Sequence, residues 1–134
     1  MEKIKKYLEK DGIRYLQRDE DLVIPYKIDK LKFHIIITKR VKWVVGTALI
    51  ASFDEIPDGV RSELYKNLLH ANYHLPEINY AIDLEGNVFC TVDMEHSVTN
   101  FESFCSEFYA IPNGIKFFLE KIAPPLKLKL SGQE

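Results

Sequence analysis

The run Trp43-Val44-Val45-Gly46-Thr47-Ala48-Leu49-Ile50-Ala51 constrains the fold of this chain more than any other segment. It is almost uniformly apolar and short, with β-branched residues and turn signals close by, which favours a strand over a helix. A strand with no polar alternation belongs in the middle of a sheet, covered on both sides. The preceding segments supply its neighbours. Leu22, Ile24, Tyr26 and Ile28 alternate with Val23, Pro25 and Lys27, and Pro25, which lacks a ladder donor, places that strand at an edge or a bulge. Leu31, Phe33, Ile35 and Ile37 alternate with Lys32, His34, Ile36 and Thr38, giving one buried and one largely exposed face. Asp29-Lys30 and the stretch from Lys39 to Lys42 form the tight links between these strands.

Helical periodicity surrounds this block. Ile4, Tyr7 and Leu8 form the stripe of a short amphipathic helix that Gly12 ends, and Tyr15 and Leu16 begin a short strand. After Pro57-Asp58-Gly59, a helix is expected from about Val60 to Leu75. Its inner face carries Leu64, Leu68, Ala71 and Leu75 with Leu69 beside them, and Pro76 stops it. Asn72, late in that helix, is expected to bond its loose carbonyls. Ile78, Tyr80 and Ile82, then Val88, Cys90 and Val92, read as a hairpin turning at 83–87, with Gly86 at positive φ. Thr99 suits an N-cap with Glu102 as its capping-box partner. The last helix carries Phe101, Phe104, Cys105, Phe108, Ile115, Phe118, Leu119 and Ile122. Pro112 and Gly114 are expected to kink or divide it, and Pro124-Pro125 ends it.

The order is therefore α-β-β-β-α-β-β-α, an α+β fold with an antiparallel sheet of about five strands packed against helices. The absence of βαβ periodicity argues against a parallel nucleotide-binding sheet. The 134 residues suit a single domain over 1–125, followed by a tail over 126–134 that is free to fray or to pair with an edge.

Net charge is −2, unevenly spread: residues 1–42 carry +5, residues 43–110 carry −9, and the last 24 carry +2. A weakly acidic whole argues against a dedicated nucleic-acid binder, and leaves a weak adaptor role through the basic N-terminal third as a third reading. No apolar run approaches the ~20 residues of a membrane helix, and the start lacks a signal-peptide core, so the expected setting is the cytoplasm. Two cysteines, Cys90 and Cys105, read as buried free thiols.

Catalytic motifs are absent. Glycine-rich phosphate loops and nucleophile elbows do not occur. His70 and His74 stand four apart on a helix, a spacing that two metal-binding imidazoles use, with Asp83, Glu77 or His96 as the third ligand. That small metal-dependent enzyme or metal-binding module is the second reading, and exposed helix histidines are the simpler account. The first reading, a non-enzymatic interaction module, needs no cofactor and no catalytic residue. Aromatic residues make up 12% of the chain, and most of them should fill the core; Phe89, Phe117 and Tyr109 are the candidates to face outward.

The segment Leu68-Leu69-His70-Ala71-Asn72-Tyr73-His74-Leu75-Pro76-Glu77-Ile78-Asn79-Tyr80-Ala81-Ile82-Asp83, followed by Glu85-Gly86-Asn87, resembles the YbjN-type family, with its helix end, short strand and hairpin. The run Gly114-Ile115-Lys116-Phe117-Phe118-Leu119 looks like the last helix of such proteins. The resemblance implies the type III secretion chaperone-like fold, a homodimer, and a non-enzymatic module that binds a segment of a partner protein as chaperone or regulator. Trp43, Phe89 and Phe117 are the residues expected to meet that partner.

Overall fold

A computed structural model describes residues 1–133. Helix α1 (Glu2–Lys10) leads into strands β1 (Leu16–Arg18), β2 (Asp21–Ile28), β3 (Leu31–Arg40) and β4 (Trp43–Ala51). Two short 3-10 turns then precede α2 (Arg61–His74), the hairpin β5 (Asn79–Ile82) and β6 (Val88–Glu95), and α3 (Phe101–Phe117). The sheet is antiparallel throughout, in the order β1-β2-β3-β4-β6-β5, so the apolar run of β4 is central as expected. The short strand begun at Leu16 is the sixth, added at the β2 edge.

Local chemistry sets the turns. The β2–β3 link holds both Asp29 and Lys30 at positive φ, the twist that a two-residue hairpin needs. Gly12, at φ +72, follows α1 as expected. Helix α3 starts one residue later than the sequence suggests. Asn100, not Thr99, caps it, accepting from the Ser103 amide at 2.8 Å while Ser103 Oγ accepts from the Asn100 amide at 3.0 Å. Thr99 is buried and turns its hydroxyl to the Glu95 carbonyl instead. Nor do Pro112 and Gly114 divide α3. Both are buried inside one continuous helix, whose regular pitch gives way only at a π turn over Phe118–Ile122.

The core lies on one side of the sheet. Phe33, Ile35, Ile37, Val44, Ala48, Ile50, Val88, Cys90 and Val92 are buried against Ile4 and Leu8 of α1 and Phe104, Phe108, Ile111 and Ile115 of α3. Close approach of α3 depends on two absent side chains: a β-carbon on Gly46 would stand 3.0 Å from Ile111, and one on Gly114 would stand 2.6 Å from Cys90 Sγ. Helix α2 flanks the β5 edge, burying Leu64, Leu68 and Ala71 but leaving Leu69 at the surface, 69% exposed.

Candidate partner-binding surface

The second face of β4 corrects the expectation that this strand is covered on both sides. Val44, Gly46, Ala48 and Ile50 are buried, while Val45, Thr47 and Leu49 are only half-buried and Trp43 is exposed. The same alternation runs through the flanking strands. His34, Ile36 and Thr38 of β3 and Phe89, Thr91 and Glu95 of β6 are half-buried, and among the described residues only Val23 is fully buried on this face. The register aligns them in rows: Val23, Ile36, Thr47 and Thr91 in one, and Leu49, Phe89 and Ala81 in the next. The result is a broad sheet face whose middle is apolar and threonine-rich and whose rim carries Lys27, Lys32, Arg40, Asp93 and Glu95, without the side-chain burial that a packed helix would give.

At one corner, Arg40, Trp43, Val45 and Asp93 line a shallow depression of about 230 Å³, with Lys42 Nζ 5.4 Å from the Trp43 ring. At the other side, Ala81 leads into an apolar groove of about 120 Å³ between β5 and α2, walled by Tyr65, Leu68, Leu69, Asn72 and Ile82. Trp43 and Phe89 thus share one surface, about 20 Å apart at ~3.3 Å per strand residue.

Phe117 lies elsewhere. It is half-buried in a crevice between α2 and the end of α3, beside His70, His74 and Lys121. Both imidazoles do line one crevice, but the third ligands weighed for them do not. Asp83 closes the hairpin turn, accepting from the Glu85 and Asn87 amides, and Glu77 accepts from Ser106. His96 lies near Lys3 and Lys39; burial first, then those two cations, lowers its pKa. No cluster of three or more potential metal ligands occurs among the described residues.

The thiols are poor nucleophiles. Burial pushes Cys90 up to about 12, and burial and then Asp11 raise Cys105. Tyr109 is half-buried and donates to Asp11, so its hydroxyl ties α3 to the end of α1. Asn72 does not bond the loose carbonyls of its own helix. Its Oδ1 accepts from the Tyr80 amide at 2.8 Å and its Nδ2 donates to the Tyr80 carbonyl at 3.0 Å. One side chain thereby satisfies the backbone of Tyr80, in the edge strand, on the side away from β6. The basic N-terminal third is partly engaged within the molecule: Lys3 donates to the His96 carbonyl, Lys5 pairs with Glu2, and Lys10 lies over Phe101.

The residue reading missed Leu84, Tyr73 and Leu69. Each is strongly exposed, and Leu84 stands wholly clear of the hairpin tip. No periodicity marks a hydrophobic residue in a turn as outward-facing; only the rigidity of the turn around it, fixed by Asp83, makes its exposure informative.

The sheet is therefore one-sided, with helices on its core face and the other face left open. Among solved structures, YbjN of E. coli matches with a TM-score of 0.74 at 13% identity, over 96% of this chain and 93% of its own. A chain of the ExoU–SpcU heterodimer from the type III secretion system of Pseudomonas aeruginosa matches at 0.66 and 15% identity, over 94% and 98%. The Yersinia pestis complex of the type III secretion chaperone SycH with a fragment of YscM2 gives 0.58 and 16%, over 85% and 94%. The chain has the fold shared by YbjN and the type III secretion chaperones. No protein-family model and no curated protein matches its sequence.

Proposed function

We propose that this protein is a non-enzymatic, chaperone-like or regulatory module that holds an extended apolar segment of a partner protein on the open sheet face. The observation that carries this reading is the uncovered face of β4. An apolar run suited to burial on both sides is buried on one, and the exposed side continues through Leu49, Phe89 and Ala81 into the groove beside α2. A large apolar patch on a folded domain marks a contact surface. Similar folds occur in the HopA1–SchA chaperone–effector complex and in the complex of the chaperone SycH with a fragment of YscM2, which supports the same reading. Trp43 and Phe89 are assigned to this surface; Phe117 lines the separate α2–α3 crevice. The reading also takes residues 1–125 as the domain, a homodimer as the working state, and the cytoplasm as the setting, which suits two free thiols.

Affinity capture of the wild-type protein and of a Trp43→Ala, Phe89→Ala double variant from the source cell's lysate tests the reading. One stoichiometric partner bound by the wild type and lost by the variant, with both proteins equally folded, is the expected result. Equal capture by both would remove the sheet face from the function.

A further inference from the structure

Strand β3 runs on beyond its pairing with β4, which parts from it after Ala48 while staying paired to β6. Pairing with β4 begins only at Ile35, so the backbone of Leu31–His34 has no neighbour from β4 on that side. The segment after the last helical turns fills the gap. Leu126, Leu128 and Leu130 pack in alternation on the core, and Ser131 anchors to Glu55, its amide donating to Oε2 at 2.9 Å and its hydroxyl at 3.2 Å. Gln133 then docks on the edge: its amide donates to the Lys32 carbonyl at 2.6 Å and its Oε1 accepts from the His34 amide at 2.9 Å. A donor to residue i and an acceptor for residue i+2 is the pattern of a parallel β-bridge, with a side-chain oxygen standing in for the main-chain carbonyl. Gly132 makes the approach possible. It holds φ +70, and a β-carbon there would lie 2.9 Å from the Lys32 carbonyl oxygen.

We propose that the Lys32–His34 edge, with Glu55 as its anchor, is a strand-docking site for an extended peptide, and that residues 126–133 occupy it in cis as an autoinhibitory strap. The partner segment would carry the strap's chemistry: alternating large aliphatic residues, then a hydroxyl residue, a glycine and an amide. It binds by exchange, displacing the strap. The site borders the open sheet face at His34, so a segment lying across that face reaches it directly. This inference rests on the partner-binding reading above, but its test needs no partner.

The probe is a labelled synthetic peptide of residues 126–133, added to the full chain and to its Gly132→Val variant. Valine at a positive φ, against the Lys32 backbone, unseats the strap and leaves the domain intact. The His34 amide should exchange at least about tenfold faster in the variant, as expected for local opening. The peptide should bind the variant at least about tenfold more tightly than the wild type and restore His34 protection. A His34 amide unchanged by Gly132→Val would show that the strap is not what protects the edge. An opened edge that the peptide fails to reprotect would overturn the docking site. A variant that pairs with itself and keeps His34 protected would place the strap in a second copy and overturn the cis arrangement. None of these outcomes depends on Trp43 or Phe89, so failure here is distinguishable from failure of the partner-binding reading.

Discussion

Asn72 shows how one side chain can decide where a sheet stops. Both of its hydrogen bonds go to the backbone of Tyr80, whose ring is buried and whose hydroxyl donates to the Gly114 carbonyl at 2.6 Å. Helix α2, strand β5 and helix α3 are therefore joined through two residues. In Asn72→Ala, the Tyr80 amide and carbonyl both lose their partner, which costs about 1–3 kcal/mol. At on the order of 4 °C per kcal/mol for a domain of this size, thermal unfolding should shift down by several degrees. A melting curve unchanged within a degree would show that water replaces both bonds without loss. Gly114→Ala should cost a similar amount for a different reason. Its new methyl meets Cys90 Sγ at 2.6 Å and Ile78 at 3.1 Å in a packed interior that yields little.

At the scale of elements, the strap and the 3-10 turn over Phe53–Glu55 are coupled through one carboxylate. Burial raises the Glu55 pKa, but hydrogen bonds from Ser52 and Ser131 outweigh it and hold the group below the ordinary glutamate value of 4.5. A depressed pKa means that the stabilisation is fully present above 4.5 and is lost as the pH falls through the folded-state value. The strap should therefore loosen on acidification. The amide resonance of Ser131 should titrate with a midpoint below 4.5; a midpoint at or above 4.5 would show that the anchor is not formed in solution. The sequence makes some of these elements plain and hides others. The strands of 22–51, the two hairpins and the helix ending before Pro76 are legible because periodicity and turn chemistry are local signals. The capping shift from Thr99 to Asn100 is not, since both residues are good caps and packing of Thr99 decides between them. The open face of β4 is hidden for a deeper reason. An apolar side chain awaiting a partner has the same composition as one already buried, so Val45 and Leu49 read as core until the helices are seen to lie on the opposite face.

For the whole molecule, the question is how one chain shields the apolar residues that its own helices leave bare. Leu69, Tyr73, Ile82 and Leu84 are all exposed on α2 and the β5–β6 hairpin, and Leu69 and Ile82 wall the apolar groove. The Asn72 clamp occupies the β5 backbone at Tyr80, so a second chain meeting this edge there must dock by side chains rather than by continuing the sheet. A two-fold interface suits such a patch, because each contact is made twice and the same residues serve both sides. Burying one leucine stabilises by about 1.5–3 kcal/mol. Losing Leu84 from both halves would therefore weaken a dimer by on the order of a hundredfold or more. Leu84 touches too little of its own chain to matter for folding, which makes Leu84→Asp a clean probe. Light scattering across a concentration series should find the wild type as a dimer. Leu84→Asp combined with Leu69→Asp should run as a monomer with an unchanged melting temperature. A wild type that stays monomeric at every concentration, or a double variant that stays dimeric, would move self-association away from this edge. The open sheet face would then be the next surface to test, and capture by Trp43→Ala and Phe89→Ala variants would show whether copy and partner compete for it.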